Sequence, residues 1–317
     1  MTSKFTTVQI QGKSYQVPAC PIQGNTVLAG GSWIKTASVM DEEFLEGEVI
    51  RNPVEFIRQL RMNQLKADIF TFSQKIPDVS PRHKYHYEWD NFAVIPITTY
   101  SEWWNKRVER DVRKAVNRAT RLGVVVRVAE LDDSFLEGIR RIYNESPVRQ
   151  GKPFWHYQKD FETIKRENST YRDRCICIGA YFEDELIGFI RMLRVGTLAM
   201  TLQVISMMGH SEKKPTNALI AKAVEVCEAN QFSHLIYSRF MYNNLHSSLT
   251  EFKRRNGFEQ VLVPKYYVPL TIKGSIAIRM GLHLPMGHWI PASILAKLKL
   301  IRSSWHSTRI QISAESL

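Results

Sequence analysis

CICIGAYFEDELIGFIRMLRVGTLAMTLQVISMM, residues 175–208, decides the fold. It holds three apolar runs rich in β-branched and aromatic residues, broken only at Glu183-Asp184 and at Gly196. Such runs bounded by turn residues read as strands joined by tight hairpins. Connections this short leave no room for a crossover, so the three strands are expected to be antiparallel. Cys175 and Cys177 lie two apart and share one sheet face, where reduced thiols pack as small apolar groups. Gln203 and Ser206 are polar residues in a buried run and need hydrogen-bond partners, which a substrate can supply. Three apart on a strand, they point to opposite faces, so at most one lines a given cleft.

Working outward, Pro215 opens a helix to about Asn230 with Leu219, Ile220, Ala223, Val226 and Cys227 on its buried face. HLIYS at 234–238 is a strand, a helix follows from about Leu245 to Arg255, and another strand starts at Phe258. Upstream the pattern predicts a strand over 124–130 and helices over 133–144 and 158–167. Thr99 and Glu102, three apart, form a capping box that starts a helix predicted to run to Gly123. Trp104, Val108, Val112, Ala115, Ala119 and Leu122 make its apolar stripe. Arg107, Arg110, Lys114, Arg118 and Arg121 make a basic face that is either solvated or turned to phosphates. Nearer the N-terminus, strands at 8–17 and 33–39, a helix at 54–66 and a strand at 89–97 form a mixed α/β region without a chemical motif.

The 317 residues exceed one typical core and suit about two compact units. At 44% hydrophobic and 23% charged, the chain has the composition of an ordered soluble protein. Lys plus Arg exceed Asp plus Glu, 43 to 31, and the net charge of +12 favours anionic partners such as nucleic acid, phosphorylated cofactors or acidic lipid. The cysteines (Cys20, Cys175, Cys177, Cys227) lack metal-ligand spacing, so no metal is expected, and no signal-peptide core precedes the first strand. A cytoplasmic location follows as the default.

The order β, α, α, β, β, β, α, β, α, β across 124–268 resembles the GNAT superfamily of acyltransferases, and FKRRNGF at 252–258 resembles its last helix-to-strand junction. RDVRKAVNRATRLGVVV at 110–126, together with Phe252-Lys253, is similar to the Fem-type branch, whose better-known members use aminoacyl-tRNA to build peptidoglycan cross-bridges. The resemblance implies an α/β (α+β) fold, a GNAT-like mixed sheet flanked by helices. It divides the chain into a partial or degenerate GNAT-like α/β region at 1–98, a basic connecting helix at 99–123, the acyltransferase domain at 124–272 and a basic amphipathic tail at 273–317. It also implies transfer of an acetyl, acyl or aminoacyl group to an amine, on a small-molecule, lipid-linked, cell-envelope or glycan acceptor. The donor is acyl-CoA or aminoacyl-tRNA.

Two departures bear on the donor. The spaced glycines of a GNAT pyrophosphate loop are missing from MGHSEKKPTNA at 208–218, leaving Lys213, Lys214, Thr216 and Asn217 at a helix N-terminus as the phosphate candidates. Lys253 stands where many acetyltransferases carry a tyrosine acid, and an ammonium there suits the oxyanion leaving an ester donor. Arg107, Arg110, Lys114 and Arg121 are then the tRNA candidates. The loop NESPVRQGKPFWHY at 144–157 supplies the expected bases Glu145, His156 and Tyr157, with Arg149, Gln150 and Lys152 to bind an anionic acceptor. Tyr237, Tyr242, Asn243 and Asn244 can read its polar groups, although helix capping is the other reading of the asparagines.

From Pro291 the tail carries Ile294, Leu298, Ile301 and Trp305 on one helical face beside Lys297, Lys299 and Arg302. That composition suits either the inner membrane surface or docking on the protein's own core. The alternative to an enzyme is a binder of RNA or anionic membrane on a degenerate GNAT fold. A deep cleft between the third and fourth strands of the C-terminal sheet would favour the enzyme.

Overall fold

The computed structural model describes residues 4–10, 13–63, 65–242 and 246–284. The chain forms two compact units, one built from Met1–Asn91 with Val261–Pro291 and the other from Phe92–Gln260. The expected amphipathic face at 291–305, and Asn243 and Asn244, lie outside the described residues.

In the first unit, β1 (Lys4–Ile10), β2 (Lys13–Ile22), β3 (Asn25–Gly30) and β4 (Thr36–Val39) run as an antiparallel meander. Helix α1 (Pro53–Met62) then crosses over to β5 (Ile69–Ser73), which pairs parallel with β4. Asn52 caps α1 by accepting the Glu55 amide, Pro53 takes the first turn, and Phe56, Ile57 and Leu60 are buried. Phe70 stacks on Phe56 and on Phe72, and Phe72 stacks on Tyr266 from the returning chain, so aromatic area dominates this core. The reading of 8–17 as one strand is corrected here, since those residues belong to both arms of the β1–β2 hairpin.

β6 (His86–Pro96) leads into the second unit, followed by the short helix α2 (Tyr100–Glu102), a π-turn at Trp103–Arg107 and α3 (Arg110–Arg121). Thr99 caps the start as expected, but the single helix over 99–123 is not formed. Val108 adopts extended backbone (φ −84°, ψ 132°), and Arg113 donates to the freed carbonyls of Trp104 (2.9 Å) and Val108 (2.6 Å). Trp103 is buried in the core, where its indole N–H donates to the Asn256 carbonyl at 3.1 Å, and Trp104 packs partly buried against the same cluster. A buried indole needs that partner.

Next come β7 (Val125–Ala129), α4 (Asp133–Asn144), the two-residue strands β8 (Val148–Arg149) and β9 (Lys152–Pro153), and α5 (Phe161–Asn168). The hairpin strands β10 (Cys175–Phe182), β11 (Glu185–Val195) and β12 (Leu198–Ser206) are antiparallel, as their short turns require. Glu183 and Asp184 both take positive φ, the conformation of a tight hairpin turn. Cys175 and Cys177 share a face with sulfurs 3.9 Å apart, and all the cysteines are free. Helix α6 (Pro215–Ala229), β13 (His234–Arg239), α7 (Ser248–Arg255) and β14 (Glu259–Pro269) follow, with α8 (Ile272–Arg279) closing the described chain. Within the second unit the strand order is β6-β13-β12-β11-β10-β7. One cluster packs α3 and α6 against one side of this sheet, and a second, around Phe135, Ile139 and Tyr143, packs α4 and α5 against β10 and β11. The architecture is therefore a mixed α+β sheet flanked by helices.

Gly257, with φ +83°, follows α7, and a Cβ there would lie 2.9 Å from the Trp103 indole nitrogen. Gly257→Ala is expected to destabilise the protein by about 1–3 kcal/mol through backbone strain and displacement of the indole, read as a lower urea midpoint at unchanged slope.

Candidate functional site

Strands β12 and β13 are parallel only over Leu198–Met200 and His234–Ile236. Beyond Met200 they separate. An irregularity in β12 opposite Arg191/Met192 and another in β13 between Ile236 and Arg239, where Ser238 takes φ 50°, bend the two strands apart. A cleft of about 630 Å³ opens between them, walled by Val204–Met208 on one side and Tyr237 on the other. A second chamber of about 460 Å³, against α3 and α7, shares Lys214, Asn217, Ser248 and Phe252 with it.

The loop after α4 borders this cleft through Arg149, Gln150 and Phe154. Arg149 donates to the Ser206 carbonyl (2.7 Å), the Ile142 carbonyl (2.9 Å) and the Glu145 carboxylate (3.0 Å), and its guanidinium lies over the Phe154 ring. That set of bonds clamps the β8–β9 turn to the end of β12. Gln150 sits at the tip with positive φ, while Lys152 is exposed on β9 outside the cleft lining.

The three expected bases are placed differently from the cleft. Glu145 accepts the Met208 and Gly209 amides, each at 2.7 Å, so its carboxylate fills the first anion-binding amides after β12. His156 is 5% exposed and lies between the Tyr143 ring (4.1 Å) and the Trp155 ring (3.6 Å). Burial, with Lys159 and Arg149 nearby, lowers its pKa to about 3, so it is neutral at ordinary pH. Tyr157 is half-buried, and its amide donates to the Phe154 carbonyl at 2.9 Å. None of the three lines the cleft.

Of the polar strand pair, Gln203 turns to α4 and donates to the Tyr143 hydroxyl at 2.8 Å. Ser206 turns to α6, shares a hydrogen bond with Thr216 at 2.8 Å and lines the cleft. The structure thus pairs Ser206 with Thr216, a link that strand periodicity does not carry.

Lys214 takes a left-handed conformation (φ 56°) at the start of α6 and lies at the junction of both chambers with Asn217, whose amide donates to the Asn256 side chain at 3.2 Å. The first amides of α6 have no acceptor in their own helix and favour an anion. Lys213 is turned away, ion-paired with Glu212 at 2.8 Å and over the Phe182 ring. On the basic face, Arg110, Lys114, Arg118 and Arg121 are exposed, whereas Arg107 is half-buried and paired with Glu259 at 3.3 Å. Arg118 and Arg121 also complement the C-terminal end of the α3 dipole.

Lys253 is wholly buried. Its ammonium donates to the Arg239 carbonyl at 2.5 Å and lies over the rings of Tyr237 (4.5 Å) and Tyr242 (5.3 Å). It therefore sits behind the Tyr237 wall of the cleft, a place that the Phe-Lys dipeptide alone does not reveal. The exposed Tyr242 shares a hydrogen bond with Ser238 at 3.1 Å.

No family model and no curated protein match the sequence. Solved structures do. The chain is similar to a structure described as the C-terminal domain (DUF2156) of a lysylphosphatidylglycerol synthetase from Agrobacterium fabrum, at 13% identity over 83% of this chain and 87% of that one (TM-score 0.53). It is similar to FemX at 11% identity over the same shares (TM-score 0.52), and to L-PGS from Bacillus licheniformis at 15% identity over 81% of this chain and 86% of that one (TM-score 0.54). The fold is GNAT-like, the fold shared with these structures. The likeness takes in the N-terminal region as well as 124–268, since it covers more than four fifths of the chain.

Burial lowers the Lys253 pKa from its ordinary 10.5 to about 8. Between those values the unfolded chain holds the proton more often than the folded one, so stability rises with pH across that window. The wild type is expected to gain about 2 kcal/mol relative to Lys253→Met between pH 8 and 10.5, measured by urea unfolding of both proteins at each pH.

Proposed function

We propose that the protein is an acyltransferase that moves an acyl or aminoacyl group onto an amine in the cleft between β12 and β13. The observation that carries this reading is the cleft itself. A filled sheet with only an outer basic patch would favour a binder, whereas here two strands separate over a hollow large enough to enclose both reacting groups.

Aminoacyl-tRNA is the donor that the surroundings favour. The amides of Met208 and Gly209, which would approach a diphosphate, hold the Glu145 carboxylate instead. The exposed cations of α3 lie on the element that lines the second chamber through Val112 and Ala115, and suit a polyanion. Lys214 and the first amides of α6 remain to receive a phosphate where the chambers meet.

The described cleft lining contains no carboxylate and no imidazole. The neutral amine therefore attacks the ester carbonyl, the C–N bond forms, the C–O bond breaks, and the amine proton goes to the leaving oxygen. The charge of Lys253, held in low dielectric behind the Tyr237 ring, stabilises the oxyanion through its field across that wall. Arg149 and Gln150 at the rim suit an anionic acceptor such as a lipid-linked or cell-envelope precursor. Contact with such an acceptor is placed at the inner membrane surface; among the described residues no helix is long and apolar enough to cross a membrane.

The test is a salt titration of tRNA and coenzyme A binding. Six phosphate contacts would cost about a thousandfold in tRNA affinity between low and moderate salt, while coenzyme A would show a shallow slope. A variant with Arg107, Arg110, Lys114 and Arg121 changed to Gln should bind tRNA more weakly and with a flatter slope. If it binds tRNA as the native protein does, or if only coenzyme A binds, the donor is an acyl-CoA. In the transfer assay Lys253→Met should lower kcat by about a hundredfold with KM little changed.

A further inference from the structure

β6 presents His86 and Glu88, two apart and hence on one face of the strand, to His283 in the turn that follows α8. All three belong to the first unit. His86 Nε2 lies 3.1 Å from Glu88 Oε1, which lies 4.0 Å from His283 Nε2, and the three potential ligand atoms are all within 4.8 Å of one another. Four ligands held tetrahedrally at about 2.0–2.1 Å from zinc stand about 3.3 Å apart, so a shift of an ångström or so brings these atoms onto one ion. The side chain of His283 is only 2% exposed, whereas His86 and Glu88 are 42% and 40% exposed. One ligand is thus held from within and the outer pair leaves a side open to water. The Tyr267 ring, 4.5 Å from His283 and edge-on, and the His86 ring, 5.2 Å away, hold the His283 imidazole in its orientation.

We propose that His86, Glu88 and His283 form a binding site for a divalent transition metal of the zinc class, with water as the fourth ligand. Two imidazoles and one carboxylate select such an ion over magnesium or calcium, which require oxygen ligands. The site lies outside the acyl-transfer cleft and does not depend on that activity. Its effect is structural, because an ion shared by β6 and the turn after α8 ties together two segments remote in sequence, and binding to the folded state alone stabilises that state.

The experiment uses tag-free full-length protein. Zinc is titrated in competition with a chromophoric chelator, bound metal is counted after dialysis, and thermal melts are run with zinc, with magnesium and with chelator. About one zinc per chain should bind and raise the melting temperature, and magnesium should have no such effect. His86→Ala and Glu88→Gln, both at exposed positions, should each weaken zinc binding by about tenfold or more while the chelator-treated melting temperature stays at the native value. Absence of stoichiometric zinc at micromolar concentration, equal stabilisation by magnesium, or unchanged affinity in His86→Ala would each overturn the proposal and leave the cluster as a plain histidine–carboxylate contact.

Discussion

The central constraint in the second unit is that β12 and β13 can pair for only three residues. Past Met200 the backbone N–H and C=O groups on that edge of β12 lose a strand partner and face a half-buried cleft bordered by α6 and by Arg149, Gln150 and Phe154. A half-buried strand edge must find other hydrogen-bond partners, as the Ser206 carbonyl does in Arg149. The two strand irregularities are what keep the edge open, since without them β13 would continue to pair and the cleft would close.

Around that opening the buried charges are arranged as supports. Arg149 spends its bonds on two carbonyls and Glu145, and Glu145 spends its own on two amides of the chain leaving β12. Removing either partner would leave the other charge poorly satisfied in a half-buried site, which is far more costly than losing a surface pair. The same network therefore occupies the Met208 and Gly209 amides with a side-chain carboxylate. Lys253 is the exception. It is a buried ammonium held by one carbonyl and two ring faces, and its lowered pKa is the cost of keeping charge there.

The order of strands and helices over 124–268 was legible in the sequence because it rests on local physics. Short turns forbid crossovers, Pro215 starts α6, and the apolar spacing marks α4 to within a residue. The single helix expected over 99–123 breaks at Val108, and its apolar stripe is buried only in part, with Val112 and Ala119 in the core and Leu122 exposed; the nonlocal bond of the Trp103 indole to the Asn256 carbonyl, more than 150 residues later in the chain, has no local signature. The functional reading of the 144–157 loop divides in the same way. Composition located a polar, aromatic loop that does border the cleft, but it could not tell which titratable side chains would be committed to amides or sealed among rings.

What the sequence by itself determined is therefore the class of fold, the antiparallel hairpins, and the basic face of α3, all of which follow from periodicity, turn chemistry and charge within a few residues of each other. Tertiary structure alone decided that β12 and β13 separate, that Ser206 meets Thr216, that Lys253 lies behind Tyr237, and that His283 comes beside His86 and Glu88. Each of these joins residues distant in the chain, and their juxtaposition is set by how the sheet and helices pack.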